Sequence, residues 1–311
     1  MKRLALVVIG IAFMFSPALA QESKPSSLSF FDVVRESLFG DVYATPSQWQ
    51  PLTAGGLFSE GWNRPWASPP PGEGGAPRQG WLNTFDGVFY RLGLLTGSFA
   101  DDFHDNGNQY AGGLTLYAPF NARFEVRLDI PFIVSNRVGS GDDYHSNFGD
   151  LQITPRVLIS ESKNFTQSFD VTFRIPTGSE DNGNDFGSAT PLWNFWWNPW
   201  SKLVVRGGAG FVVTYSDPET NPRAFIANLA AGYYFTEHGF TPFGDLVGYL
   251  SANLSQPMGK HGTNETVFTM TPGFRNHLGR DWYLLGGVEV PVTRDQRAFD
   301  FKVLWAIMKV Y

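Results

Sequence analysis

Residues 123–134 read Arg-Phe-Glu-Val-Arg-Leu-Asp-Ile-Pro-Phe-Ile-Val, and their order decides the fold. Phe124, Val126, Leu128, Ile130, Phe132 and Val134 share one parity; Arg123, Glu125, Arg127 and Asp129 share the other. Successive side chains of a strand point to opposite faces. This segment is therefore apolar on one side and charged on the other. A soluble sandwich strand can look like this once. Here the pattern recurs in about a dozen segments, each long enough (~9–11 residues or more) to cross a bilayer obliquely. The expectation is lipid outside and water inside: an all-β, antiparallel, up-and-down transmembrane β-barrel of about 12 strands.

Working outward, the segments fall near 84–97, 108–118, 122–135, 148–160, 165–176, 189–200, 202–215, 222–235, 240–253, 264–275, 281–292 and 297–310. The even total suits a bacterial single-chain barrel. The sixth is irregular, because Trp193, Phe195, Trp196, Trp197 and Trp200 put rings on both faces. Connections near 98–107, 136–147, 177–188, 216–221 and 254–263 are long and polar; those near 119–121, 161–164, 201, 236–239 and 276–280 are short. Outer-membrane barrels have short periplasmic turns and longer outer loops. With both termini periplasmic, the odd connections are external, and the long ones are the odd ones. The exception is the last, near 293–296, which is short.

Before the barrel, Lys2 and Arg3, the apolar run Leu4 to Phe15 and the small residues Ala18 and Ala20 read as a cleaved secretory signal peptide, residues 1–20. The run is too short for a membrane helix, which needs roughly 20 residues. Residues 21–80 form a Pro/Gly/Trp-rich segment, expected to cap the periplasmic end or plug the lumen. Leu28 to Phe39 has helical spacing and predicts one short amphipathic helix. Trp49 to Trp81, interrupted by Pro69-Pro70-Pro71, reads as an irregular tether docking by its tryptophans. Residues 81–311 are the barrel.

Composition agrees. Aromatic residues make up 16% of the chain, more than a soluble domain usually carries, while mean hydropathy stays near neutral at −0.17, too low for a helical membrane protein. A net charge of −6 gives no case for nucleic acid. The absence of cysteine removes disulfides and thiol catalysis, and no lipid anchor can follow Ala20.

Parity assigns the lumen. Inward-facing candidates for a selectivity constriction are Arg123, Glu125, Arg127, Asp129, Arg156, Asp170, Arg174, Arg206, Asp245, Glu289 and Lys302. Neighbouring strands lie ~4.8 Å apart, so these bases and acids can also pair as a structural lattice. Their mixed signs declare no preference for one ion charge. Twelve strands enclose less space than the 16- to 18-stranded porins, so a restricted or plugged conduit is expected. The acidic loops at 101–108, 142–143 and 180–185 lack the alternate-position acids of an EF-hand; they read as solvated outer loops, or as cation bridges to lipopolysaccharide. His104, His145, His238, His261 and His277 fall in predicted loops or turns, with no His-Glu-x-x-His, no Gly-x-Ser-x-Gly and no phosphate loop. No catalytic site, no metal site and no cofactor is expected.

Phe148-Gly149-Asp150-Leu151, then Pro155-Arg156-Val157-Leu158, then Asp170 to Gly178 closing in Pro-Thr-Gly, and Leu128-Asp129-Ile130-Pro131-Phe132 upstream, resemble the outer-membrane proteins named for the meta-pathway of phenol degradation. The resemblance implies a barrel over residues 85–311 and an outer-membrane channel or transporter for small, hydrophobic or aromatic solutes. It carries over no catalytic residues. The alternatives are a structural or binding barrel without transport, and a lipid-acting barrel enzyme, which the histidine positions disfavour. Expected partners are outer-membrane lipid and lipopolysaccharide, the solute, and the barrel-assembly machinery. The final amphipathic strand and terminal Tyr311 resemble the signal that machinery reads, with Lys309 departing from the pattern.

Overall fold

The computed structural model describes residues 28–42, 48–103, 107–137, 143–178, 186–215, 223–258, 266–293 and 299–311. The signal-peptide reading, the 180–185 loop, His104 and His261 lie outside the described residues.

One helix, α1 (Phe30–Phe39), precedes the strands. Ser29 caps it, its hydroxyl accepting from the Asp32 amide. The strands are β1 (Leu92–Phe103), β2 (Gly107–Pro119), β3 (Phe124–Arg137), β4 (His145–Asn147), β5 (Leu151–Glu161), β6 (Phe165–Ile175) and β7 (Ser188–Trp200). They continue as β8 (Leu203–Thr214), β9 (Arg223–Tyr234), β10 (Gly244–Met258), β11 (Val267–Gly279), β12 (Trp282–Pro291) and β13 (Phe301–Val310). Each long strand pairs antiparallel with the next, and β1 pairs with β13, so twelve long strands close into a barrel. The short β4 only extends the edge of β3 at Val134 to Asn136.

Leu92 partners Val310, so both ends of the sheet lie at one rim, called here the turn end. Connections there span 120–123, 162–164, 201–202, 235–243 and 280–281; those at the opposite loop end span 104–106, 138–150, 176–187, 215–222, 259–266 and 292–300. Three lengths differ from expectation. β1 and β2 run on to Phe103 and Gly107, so the first loop-end connection is short. The last one is long, and 235–243 is long for a turn-end connection.

Twelve predicted segments correspond to twelve strands, but the first begins at Leu92, not near 84. Residues 84–91 find partners other than a ladder: the amides of Phe85 and Tyr90 donate to the side chains of Asn228 and Glu125. Val88, Phe89 and Tyr90 are all buried, which a one-sided strand cannot achieve.

The outer face is apolar. Leu95, Phe169, Trp193, Phe211, Leu229, Leu250, Phe274, Val303, Trp305 and Ile307 are exposed on it. Rings gather at both rims, with Trp200, Tyr233, Phe235 and Trp282 at the turn end and Tyr110, Phe148 and Tyr215 at the loop end. The core sits inside the barrel. In the turn-end half, Trp196, Val204, Tyr234, Val247, Tyr249, Tyr283, Leu285 and Met308 pack around Ala76, Trp81, Val88 and Tyr90. The inner face of that half thus carries a large apolar cluster beside buried charges such as Arg206 and Arg275, a departure from the polar lumen that parity suggests.

Candidate functional site

The N-terminal segment builds the site. It is anchored at the turn end and then threads the lumen. The Ser37 hydroxyl donates to the Val33 carbonyl and accepts from the Trp66 amide at 2.9 Å. Arg91, at the mouth of β1, donates to the Gly40 carbonyl at 2.8 Å and to the Tyr311 backbone oxygen. Leu52 exchanges backbone bonds with Glu161 at the end of β5. Arg123 donates to the carbonyls of Thr53, Glu60, Leu158 and Ile159, all at 2.8–2.9 Å. Arg78 pairs with Glu161 at 3.1 Å, donates to the Ser162 and Lys163 carbonyls and lies 4.8 Å from the Trp196 ring. Burial pulls the Arg78 pKa below its ordinary value while Glu161 pushes it up; a guanidinium keeps its charge through such shifts.

Residues 79–91 then cross the barrel. Gln79 accepts from Arg275 of β11 at 2.9 Å. Trp81 stacks on Tyr249 of β10, with centroids 4.9 Å apart and planes 7° apart, and Arg206 of β8 lies 4.2 Å from the Trp81 ring. The wall makes room: a Cβ at Gly232 would fall 2.5 Å from that ring. The Asn83 amide donates to Thr271, and its carbonyl accepts from Ser251. Asp86 pairs with Arg206 at 2.7 Å, and its carbonyl accepts from Arg156 at 2.6 Å. Gly87 lies against the β7 backbone, where a Cβ would come within 2.7 Å of the Phe195 Cα. The segment therefore bonds to opposite sides of the wall, across the lumen.

Above it, toward the loop end, lies a cavity of about 360 Å³. Its floor is Leu82 and Asn83; Thr96, Ser98, Gln152 and Leu304 contribute to its wall. Four charged residues line it: Arg127, Asp129, Glu289 and Lys302. Arg127 and Asp129 pair at 2.8 Å, and Thr115 donates to Asp129 at 2.7 Å. Glu289 accepts from Thr269 at 2.7 Å and lies opposite Lys302 in the β12–β13 register.

The predicted lumen residues thus divide. Glu125, Arg156 and Asp170 form one buried network, Arg156 bonding both carboxylates, with its contact to Asp170 at 2.9 Å. Arg206 joins it through Asp86. Arg127, Asp129, Glu289 and Lys302 line the cavity. Three others lie apart. Arg123 clamps the N-terminal segment at the turn end. Asp245 is buried at the start of β10 beside Tyr234 and His238. Arg174 sits near the loop-end rim of β6, partnering Gln152 and Ser188 in register.

Sequence reading gives Trp81 as a docking tryptophan but does not single out Arg78, Asp86 or Arg275, because it takes residues 49–81 as a tether, residues 84–97 as a strand and Arg275 as the last residue of another. One local signal pointed to them: three large apolar residues in succession, Val88-Phe89-Tyr90, break the alternation that a half-buried strand needs. His277 also differs from expectation. β11 runs to Gly279, so His277 is a buried wall residue, not a turn residue.

A family described as "Putative MetA-pathway of phenol degradation" matches residues 88–306, more than half of the chain. Among solved structures the chain is similar to the COG4313 outer membrane channel from Pseudomonas putida F1, at 14% identity and a TM-score of 0.54, covering 75% of this chain and 100% of that one. That likeness is one of barrel fold. The NanC porin (8% identity, TM-score 0.49, 70% of this chain and 99% of that one) and the KdgM porin (10%, 0.46, 71% and 99%) are more distant. No curated protein matches the chain.

Proposed function

The chain belongs to the MetA-pathway of phenol degradation family, and from that premise we propose that it is an outer-membrane channel for small solutes, apolar and aromatic ones among them, occluded at rest by its own residues 76–91. The carrying observation is the 360 Å³ cavity whose floor is the N-terminal segment itself. A solute entering from the loop end meets Leu82 and Leu304 beside the Arg127–Asp129 pair, Glu289 and Lys302. That combination suits a ring with a polar substituent: apolar contact for the ring, a cation near its face, and a donor or acceptor for the substituent. Onward passage requires residues 76–91 to move aside.

The apolar outer face and its two belts of rings support a place in lipid. The short turn-end connections support a periplasmic position for that end, with the loop end facing lipopolysaccharide. The same reading makes assembly machinery a partner and nucleic acid not one. It also makes the protein a conduit and not an enzyme. His238 bonds Asp245, and His277 lies by the His238 carbonyl, so neither is arranged to activate a serine.

A second reading rests on the same plug. Arg156, Arg206 and Arg275 are almost fully buried against it, as in a permanently sealed, structural barrel. Uptake into proteoliposomes separates the two. A conduit admits a bilayer-impermeant aromatic of phenol size, such as benzenesulfonate, faster when the segment is loosened by Asp86→Ala. A structural barrel admits none in either form.

A further inference from the structure

The turn end carries a side-chain cluster that neither the lumen nor the plug uses. His238 sits in the 235–243 connection, Asp245 opens β10 and His277 lies near the end of β11. One ligand atom from each lies within 4.8 Å of the other two. Asp245 and His277 are buried, while the His238 side chain is 61% exposed. The two imidazoles stack, with centroids 4.2 Å apart and planes 13° apart.

Hydrogen bonding sets what each atom can do. The Nδ1 of His277 lies 3.2 Å from the His238 carbonyl, an acceptor, so that nitrogen carries the proton. The Nε2 of His277 is then a lone-pair donor, and it is buried with no hydrogen-bond partner among the described residues. A ring held through one nitrogen by a carbonyl, its other nitrogen free, is how metal-ligating histidines are arranged. Asp245 is oriented in turn by the Tyr234 hydroxyl, with His238 Nδ1 at 2.8 Å from its other oxygen and Tyr283 at 3.5 Å. Arg275 divides its guanidinium between Gln79, at 2.9 Å, and the backbone carbonyl of Asp245, at 3.5 Å, and leaves the Asp245 carboxylate to Tyr234, His238 and Tyr283.

The geometry points to a divalent transition-metal site formed by His238, Asp245 and His277 at the turn end of the barrel. Two imidazoles and one carboxylate suit Zn²⁺, Cu²⁺ or Ni²⁺; Ca²⁺ and Mg²⁺ prefer all-oxygen shells. Donors within 4.8 Å must close to the spacing that roughly 2.0–2.2 Å metal bonds require. His238, exposed on its connection, supplies that movement by changing rotamer. Binding pins the 235–243 connection to β11.

The test uses the full barrel, folded in detergent and free of any affinity tag. Zn²⁺ titration followed by calorimetry is expected to saturate at one equivalent with micromolar or tighter affinity. His238→Ala, exposed and so tolerated by the fold, is expected to weaken binding at least about tenfold, as His277→Ala does. His145→Ala, at the opposite rim, leaves it unchanged. Cu²⁺ bound to the wild type should show an electron paramagnetic signal split by two imidazole nitrogens. Saturable Zn²⁺ binding that His238→Ala leaves intact overturns the site. So does the absence of any saturable binding below millimolar Zn²⁺.

Discussion

Arg206 is fully buried, and the carboxylate that meets its charge stands 120 positions earlier, at Asp86. Removing one partner of a buried pair typically costs about 3–5 kcal/mol, because the other charge stays desolvated and unmatched. Here the loss falls on the docking of residues 79–91. The barrel's own ladder is untouched. Asp86→Ala should therefore free the segment to protease while the barrel keeps its heat-modifiable gel migration. A segment as resistant as in the wild type would show that Asp86 does not hold it. The same release should follow from the wall side. Gly232→Val places atoms where the Trp81 ring lies, and should expose residues 79–91 to the same degree. Protection retained in Gly232→Val would mean that Trp81 does not seat the plug. Parity made the inward position of Arg206 legible, since strand side chains alternate without exception unless a bulge intervenes. Its partner was not legible. A contact 120 residues away in sequence leaves no local pattern.

At the scale of elements, Leu128 of β3 partners Leu116 and Ile153 in register and faces outward with them. An arginine near the middle of a lipid-facing strand costs ~2–4 kcal/mol. Leu128→Arg should lower stability by that amount in denaturant titration from lipid vesicles. Unchanged stability would place that face away from hydrocarbon. Strands of this kind were readable because each keeps one apolar face over ten or more residues. The first was misread at its start. Residues 84–91 are apolar enough to pass for a strand, yet they bury both faces inside the barrel. β11 was cut short because Asn276, His277 and Gly279 look like turn formers; burial inside the wall supplies what local propensity withholds. The half-apolar lumen was hidden for a similar reason. Inward Trp196, Val204, Val247 and Met308 match the plug, which the sequence offers only as an alternative to a periplasmic cap and without its residues 81–91.

Over the whole molecule, the barrel wall is inverted relative to a soluble protein, with its exposed face apolar, and the interior is divided in two. The turn-end half is a packed core completed by the N-terminal segment; the loop-end half is the charged cavity. Conduction requires that segment to be a removable stopper in the path. The chain has no cysteine, so a single engineered, reducible cross-link can decide it. Asn83 and Thr271 hydrogen-bond across the gap between plug and wall at 2.7 Å, too far between their Cβ atoms for a direct disulfide but within reach of a short bridge. The direct measurement is planar-bilayer conductance of Asn83→Cys with Thr271→Cys, bridged by a short bis-methanethiosulfonate and combined with Asp86→Ala to loosen the plug, before and after addition of a reductant. The bridged barrel should remain closed and the reduced one should open in discrete conductance steps. Equal conductance in the two states, or none in either, would contradict the claim that residues 76–91 gate a pore.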